Sequence, residues 1–359
     1  MKITLIVDDY HGGAGNIVQL LAKELNKNND ISIILTNKNS EPRYELDNIK
    51  VYDEKINILK GNRILGLYKS IKNLRKRLLL LKTELVISFL DNNNTLACLA
   101  LWNRKNIPII VSERSNPLKI FPKFTWNLLR RIAYKRANMV TVQFEAFKYF
   151  DKKRFLHKCE VIPNIVEKPN YLKKEWSSKK IKFVTFSRLA QIKRIDLMIQ
   201  MFIKLVSKNQ QDIELHIWGE GPERKKLNDL IVINHMENRI FLHGYSKNVH
   251  QELLKYDVYL MTSLQEGFPN SLCEAMAVGL PSISFRCHEG ISELVENGRS
   301  GFSVQDGNEE EFINKMEVLI NEEEKRKIMG KNAQKISKKF SKEKVLKQWE
   351  EYIKQVFSE

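Results

Sequence analysis

Short apolar runs alternate along this chain with stretches whose apolar residues recur at helical spacing. In the first half the runs are Ile3–Val7, Ile31–Thr36, Leu85–Leu90, Pro108–Glu113, Met139–Gln143 and Glu160–Ile162. In the second they are Lys182–Phe186, Glu214–Trp218, Ile240–Leu242, Val258–Met261, Ser282–Phe285 and Gly301–Val304. Runs this short, apolar at successive positions, suit strands covered on both faces. Amphipathic segments such as Ile17–Asn26 and Ile195–Leu205 lie between them. The alternation predicts parallel sheets with helices on both faces, and its restart predicts two such α/β domains. The interruption, residues 163–180, has two prolines, polar clusters and little periodicity, and reads as a linker. The expected organisation is a first domain over 1–165, a linker over 166–180, a second domain over 181–339 and a closing helix over 340–359. In that helix Val345, Trp349, Ile353 and Phe357 recur every fourth position, and Trp349 is the expected anchor onto the first domain.

Composition narrows the picture. No run of about eighteen uncharged apolar residues occurs, so no membrane-spanning helix is expected. Met1-Lys2 leads straight into a strand-like run without a secretory h-region, which reads as a cytoplasmic protein. The four cysteines, Cys98, Cys159, Cys273 and Cys287, show no C-x-x-C spacing; reduced thiols and no zinc site are expected. The net charge of +17 is unevenly placed. Residues 1–175 carry 32 Lys and Arg against 17 Asp and Glu, whereas the remainder carries 28 against 26. Much of the excess falls on two helical stretches. In 61–82, Ile64, Leu67, Ile71, Leu74 and Leu78 oppose Lys69, Lys72, Arg75, Lys76 and Arg77. In 119–136, Phe121, Phe124, Trp126 and Tyr134 alternate with Arg130, Arg131, Lys135 and Arg136. A one-sided basic domain predicts an anionic partner, a membrane surface or a polyphosphate. No helix-turn-helix, zinc-finger or RNA-recognition pattern is present, so nucleic acid is not expected.

The candidate chemistry clusters where strands end. Val258–Met261 runs into Glu266-Gly267-Phe268-Pro269-Asn270 and then a helical segment, Ser271–Val278, that closes at Gly279 before Pro281. Glu266 lies in the loop and Glu274 on the helix, beside N–H groups and a dipole end that suit phosphate or sugar oxygens. After the strand ending at Phe186, Arg188 offers a guanidinium fork and Lys193 a point charge. The first strand leads into Asp8-Asp9-Tyr10-His11-Gly12-Gly13-Ala14-Gly15, where glycines admit a ligand close to the backbone. The spacing lacks the third glycine of G-x-G-x-x-G, so a dinucleotide is not expected. Ser112-Glu113-Arg114-Ser115-Asn116 puts polar residues at the carboxyl end of another strand.

Taken in order, Ser263, Glu266-Gly-Phe-Pro-Asn, Glu274-Ala-Met-Ala and Gly279-Leu-Pro281 resemble the donor-sugar signature of retaining GT-B glycosyltransferases of family 4. Ser187-Arg188-Leu189 followed by Lys193 is similar to that family's S-R-L-x-x-x-K arrangement, and Trp218-Gly219-Glu220-Gly221-Pro222 and His243-Gly244-Tyr245 to its nucleotide-facing turns. The likeness covers almost the whole chain and is strongest over 181–305. It implies the GT-B fold, two doubly wound Rossmann-like domains facing a cleft, with the last helix crossing back to the first. It implies Arg188 and Lys193 as the cations on a departing diphosphate, Glu266 on a sugar hydroxyl and Glu274 on the ribose. Gly13, Gly219, Gly244, Tyr245, Gly267, Phe268, Pro269, Asn270 and Ser271 complete the implied donor site. Arg114 stands where many relatives have histidine, a departure that makes Glu113 the candidate for acceptor-side catalysis. His11, Gly12, Lys69, Lys72, Arg75, Lys76, Arg114, Arg130 and Arg131 are the positions expected to face acceptor or membrane.

The implied reaction moves a hexose or N-acetylhexosamine, UDP-GalNAc being one candidate donor, from a UDP-sugar to an undecaprenyl-diphosphate-linked oligosaccharide at the inner membrane face. The motif Ser112-Glu-Arg-Ser-Asn resembles that of enzymes that add N-acetylgalactosamine or related hexoses to such lipids. Two alternatives are a UDP-sugar epimerase on the same fold, which lacks the Glu266…Glu274 setting, and a non-catalytic binder of sugars or anionic surfaces, which has no need of all four charged residues. No cofactor and no metal are expected, because the chain contains no Asp-x-Asp and the two cations stand where a divalent ion would act. Transfer should therefore persist in excess EDTA, and abolition that Mg²⁺ or Mn²⁺ restores would refute this.

Overall fold

The computed structural model describes residues 1–10, 12–37, 42, 45–46, 48–54, 63–117, 124–151, 156–173, 176, 180–208, 211–246 and 248–358. The chain divides into two units, Met1–Asn164 with Glu343–Glu359, and Ile165–Lys342. In the first, β1 (Lys2–Val7), β2 (Asp30–Leu35), β3 (Lys50–Asp53), β4 (Leu85–Phe89), β5 (Ile109–Ser112), β6 (Met139–Val142) and β7 (Cys159–Val161) form one sheet. Its order is β3-β2-β1-β4-β5-β6-β7, and β1 pairs in parallel with both β2 and β4. The interior strands bury Leu5, Ile33, Ile87 and Ile110 completely, as the apolar runs predict. Strand β3 was not anticipated, since this four-residue edge strand is largely exposed and shows no apolar run.

The helix after β1, Gly12–Leu25, begins on the glycines themselves instead of following a glycine loop. A Cβ on Gly15 would stand 2.3 Å from the Tyr10 carbonyl carbon, so only glycine lets this first turn pack onto the preceding backbone. On the sheet, the basic helix Arg63–Leu80 packs against Asp91–Ala100, which packs against Phe124–Ala133. The closing helix, Lys342–Ser358, belongs to the first unit. Its Val345, Trp349 and Ile353 are buried, but Phe357 is 44% exposed and Val356 takes the inward place. Four-residue steps overshoot a helical turn by about 40° each, so a third step leaves the buried face. The Trp349 ring meets Phe89 at 5.8 Å, and the Arg114 guanidinium lies 5.5 Å from the Phe89 ring and 5.7 Å from that of Trp349.

The second unit holds β8 (Lys180–Phe186), β9 (Asp212–Trp218), β10 (Ile240–Gly244), β11 (Val258–Met261), β12 (Ser282–Arg286) and β13 (Gly301–Gln305). They form a parallel sheet in the order β10-β9-β8-β11-β12-β13. Its core joins Phe183, Ile199, Phe202, Leu215, Ile283 and Phe312 from strands and flanking helices. The polar stretch before β8 is tied to this unit. Lys173 donates its N–H to the Val278 carbonyl (2.8 Å) and its ammonium to the Leu254 carbonyl (3.1 Å), and stands 3.4 Å from the Asp257 carboxylate.

At the β9–β10 edge, side chains from alternate strand positions build an aromatic ladder. Trp218 stacks on Phe186 at 5.5 Å and on His243 at 4.5 Å, and its indole N–H donates to the Tyr256 hydroxyl (2.8 Å). His216 Nδ1 lies 2.8 Å from His243 Nε2, and its Nε2 lies 3.1 Å from the Glu214 carboxylate. Burial lowers the His216 pKa from the usual 6.5, and the neighbouring imidazole adds to that, although Glu214 opposes it. Burial lowers His243 as well. A histidine depressed on folding keeps its stabilising contribution above its unfolded pKa and loses it as pH falls through the folded one. The thermal stability advantage of the wild type over His216→Phe should therefore shrink as pH is lowered from about 7 to about 5; a gap that stays constant or widens would refute it.

Candidate functional site

In the second sheet the chain leaves β8 towards β9 and β10, then crosses back to β11 on the other side of β8. That reversal is where open α/β sheets form a ligand crevice at the carboxyl ends of their strands. The exits are stitched together there by backbone. Ser187 N–H donates to the Trp218 carbonyl (2.9 Å), Gly219 N–H to that of Gly244 (2.7 Å) and Leu189 N–H to that of Glu220 (2.9 Å). Gly219 has φ 134°, and a Cβ on it would stand 1.9 Å from the Ser187 carbonyl oxygen, so no other residue fits the ledge. Arg188 sits on this ledge, exposed and paired with no carboxylate among the described residues. Tyr245, beyond β10, is also exposed.

Across the switch point, Lys193 Nζ lies 2.6 Å from Glu266 Oε1, both side chains being largely shielded. The β8 turn and the β11 exit also meet through backbone, Leu264 N–H donating to the Ile192 carbonyl at 2.8 Å. The structure thus brings together two residues that are 73 positions apart. Beyond Gly267, Phe268 is buried with its ring edge-on to Phe340 at 5.5 Å, and the Ser271 hydroxyl accepts from Tyr259 at 2.8 Å. The Phe268 side chain is thus engaged in packing against Phe340. The helix Asn270–Val278 starts after Pro269, which supplies no side-chain cap, so its first turn follows directly on the loop carrying Glu266. Glu274 stands one turn along, half-buried. Together these elements present two cations, two carboxylates and a helix N-terminus at one sheet edge, a set that can hold a diphosphate beside hydroxyls.

In the first unit three expectations are corrected. Glu113 is buried, its Oε1 accepting from Tyr134 (2.5 Å) and Arg130 (3.1 Å). Burial raises its pKa and the Arg130 cation opposes the rise, while burial and Glu113 push the Tyr134 phenol far up. A carboxylate so enclosed is not open to an acceptor hydroxyl. Arg130 is buried with it rather than facing a partner. Arg114 is buried too, donating to Asn164 Oδ1 (2.9 Å) and the Ile162 carbonyl (3.2 Å), and burial lowers its pKa to about 9. Glu113 is enclosed because the helix Phe124–Ala133 supplies Arg130 as its counter-charge, whereas Arg114 is held by neutral oxygens and by the rings of Phe89 and Trp349. Lys69, Lys72, Lys76 and Arg131 are exposed, whereas Arg75 is half-buried, its Nε donating to the Ala100 carbonyl at 2.5 Å. Gly12 and Gly13 open their helix; His11 and Phe121 lie outside the described residues.

Sequence reasoning missed a polar cluster at the switch point of the first sheet, between β1 and β4. Asp8 Oδ1 accepts from Thr36 Oγ1 (3.0 Å) and Asn93 Nδ2 (2.9 Å), and burial raises its pKa. The available signal was an acid directly after the first strand and a run of asparagines directly after the fourth.

The comparisons agree with this architecture. The family model described as "Glycosyl transferases group 1" matches residues 168–336, and that described as "Glycosyltransferase Family 4" matches 11–168. An α-1,4-N-acetyl-D-galactosaminyltransferase of Campylobacter jejuni, whose name specifies a diNAcBac-PP-undecaprenol-linked acceptor, is 28% identical over 99% of both chains. A second from that organism, named for N-acetylgalactosamine-N,N'-diacetylbacillosaminyl-diphospho-undecaprenol, is 24% identical over 95% of this chain and 96% of its own. Among solved structures, an Anabaena protein determined with UDP and glucose has a TM-score of 0.80 at 19% identity, covering 99% of both chains. Sucrose-phosphate synthase of Thermosynechococcus elongatus has a TM-score of 0.83 at 15% identity, again over 99% of both. With its two halves matched in succession and its two parallel sheets in place, the chain belongs to the group 1 glycosyltransferases of family 4 and is a glycosyltransferase of the GT-B fold.

Proposed function

We propose that this enzyme transfers a hexose or N-acetylhexosamine from a UDP-sugar to an undecaprenyl-diphosphate-linked oligosaccharide, with retention of anomeric configuration. The observation that carries the reading is the Lys193–Glu266 pair, 2.6 Å apart, with exposed Arg188 at the neighbouring strand exit. The bond that breaks joins the anomeric carbon to the β-phosphate oxygen, and negative charge grows on that oxygen. Arg188 and Lys193 stabilise it electrostatically. Glu266 holds a sugar hydroxyl and Glu274 the ribose. The acceptor hydroxyl attacks from the leaving-group face, and its proton passes to the departing phosphate.

The acceptor class is supported by the names of the two Campylobacter jejuni relatives and by the distribution of charge. On the helix Arg63–Leu80, exposed Leu65, Tyr68 and Leu80 stand beside exposed Lys69, Lys72 and Lys76. On Phe124–Ala133, exposed Leu128 and Ile132 flank Arg131. Basic residues interleaved with apolar ones suit the headgroup boundary of an anionic bilayer. No helix among the described residues is long and apolar enough to cross a membrane, so the reading is peripheral attachment at the inner face.

Arg188→Ala and Lys193→Ala should each lower kcat by ~100-fold or more, the scale of losing one preorganised donor; near-normal turnover in both refutes the site. Liposomes containing anionic lipid should sediment the protein at low salt while zwitterionic liposomes do not, and equal recovery with the two removes the membrane half of the proposal.

A further inference from the structure

Arg194 follows Lys193 and takes no part in the reading above. Its backbone is left-handed, with φ 48° and ψ 44°, a conformation that L-residues adopt against steric resistance and glycine adopts freely. The side chain accounts for the arginine. Its Nε donates to the Thr262 carbonyl (2.8 Å), and its Nη2 to the Ser263 carbonyl (3.4 Å) and to the Asp306 carboxylate. The guanidinium also lies 5.2 Å from the Phe285 ring centroid. Thr262 answers with its hydroxyl, which lies 3.0 Å from the Lys193 carbonyl oxygen and 2.9 Å from that of Arg194. The turn after β8 and the exit of β11 are thereby zipped from both sides, and Asp306, just beyond β13, anchors the zip to a third strand end.

Lys193 is bonded to one side of this clasp, and Glu266 lies three residues past Ser263 on the other. The clasp, with the Leu264 N–H bond to the Ile192 carbonyl, thus joins the backbone segments that carry the ammonium and the carboxylate. We propose that Arg194, anchored by Asp306, is a positioning residue for glycosyl transfer, fixing Lys193 and Glu266 at the spacing that a sugar diphosphate requires. This rests on the reading of those two residues as the donor-handling pair. It also identifies an informative substitution, because Arg194→Gly removes the clasp while suiting the left-handed backbone, and so separates positioning from folding.

The test uses the full chain and UDP release from UDP-N-acetylgalactosamine, UDP-N-acetylglucosamine, UDP-galactose or UDP-glucose, whichever the wild type hydrolyses fastest. Arg194→Gly should lower kcat by about tenfold or more with KM changed by less than about threefold, since displacement of a reacting group by about 1 Å acts on turnover. Its melting temperature should stay within a few degrees of the wild type. Asp306→Asn should show the same split, Arg194→Lys should recover part of kcat, and Arg194→Gly/Asp306→Asn should be no slower than Arg194→Gly, as expected for residues acting through one contact. Wild-type kcat in folded Arg194→Gly overturns the clasp, as does additive loss in the double variant. Should Arg194→Gly fail to fold, Asp306→Asn decides: the same kcat-selective loss supports the proposal and wild-type kcat overturns it. Lys193→Ala run alongside keeps the two layers apart. Wild-type turnover there overturns the reading of Lys193 as a donor-handling residue, whereas loss there with full activity in Arg194→Gly overturns only the clasp.

Discussion

The reversal of strand order at β8 and β11 is the constraint on which the second unit depends. A parallel sheet forces every strand exit to one edge, and the crossover brings two loops from distant sequence positions side by side there. Ser187, Gly219 and Gly244 then close against one another through backbone alone, at distances that exclude a Cβ at Gly219. Side chains with chemistry are carried by loops, but the loops are held by a largely buried sheet. A rigid edge is what electrostatic catalysis asks for, since its donors must already be in place when charge develops.

Magnitudes separate the charged pairs by purpose. The Lys193–Glu266 pair is largely shielded but still reaches solvent, at 22% and 13% exposure of the two side chains. The enclosed Glu113–Arg130 pair is different, because removing one partner of a buried pair leaves an uncompensated charge at a cost of about 3–5 kcal/mol. With Tyr134 and Asn94 it forms a connected polar network inside the first unit. Arg114 plays a related part by laying its guanidinium on Phe89 and Trp349, which helps fasten the closing helix to the unit that begins the chain. Cations that look alike in sequence thus divide into interior struts and an exposed set on two helices.

The amino-acid sequence by itself determined the number and order of nearly all the strands, the two-unit plan and the family. Central parallel strands are buried on both faces and must be apolar throughout, which leaves a signal that survives without coordinates. Edge strand β3 left none, because an exposed edge tolerates the polar Lys50 and Asp53. The placement of the glutamate loop, the Arg188–Lys193 segment and the turns at Gly219 and Gly244 at strand exits was likewise legible, since strand ends and turns are local features. Tertiary structure alone decided which polar residues are available. Glu113 and Arg130 passed from candidate site to interior because the helix carrying Arg130 closes over the carboxylate, and Arg114 because Asn164, the Ile162 carbonyl and two aromatic rings enclose it, contacts that no local pattern records. The contact of Lys193 with Glu266 and the grip of Arg194 on Asp306 likewise join positions 73 and 112 residues apart, distances that only a folded sheet can bridge.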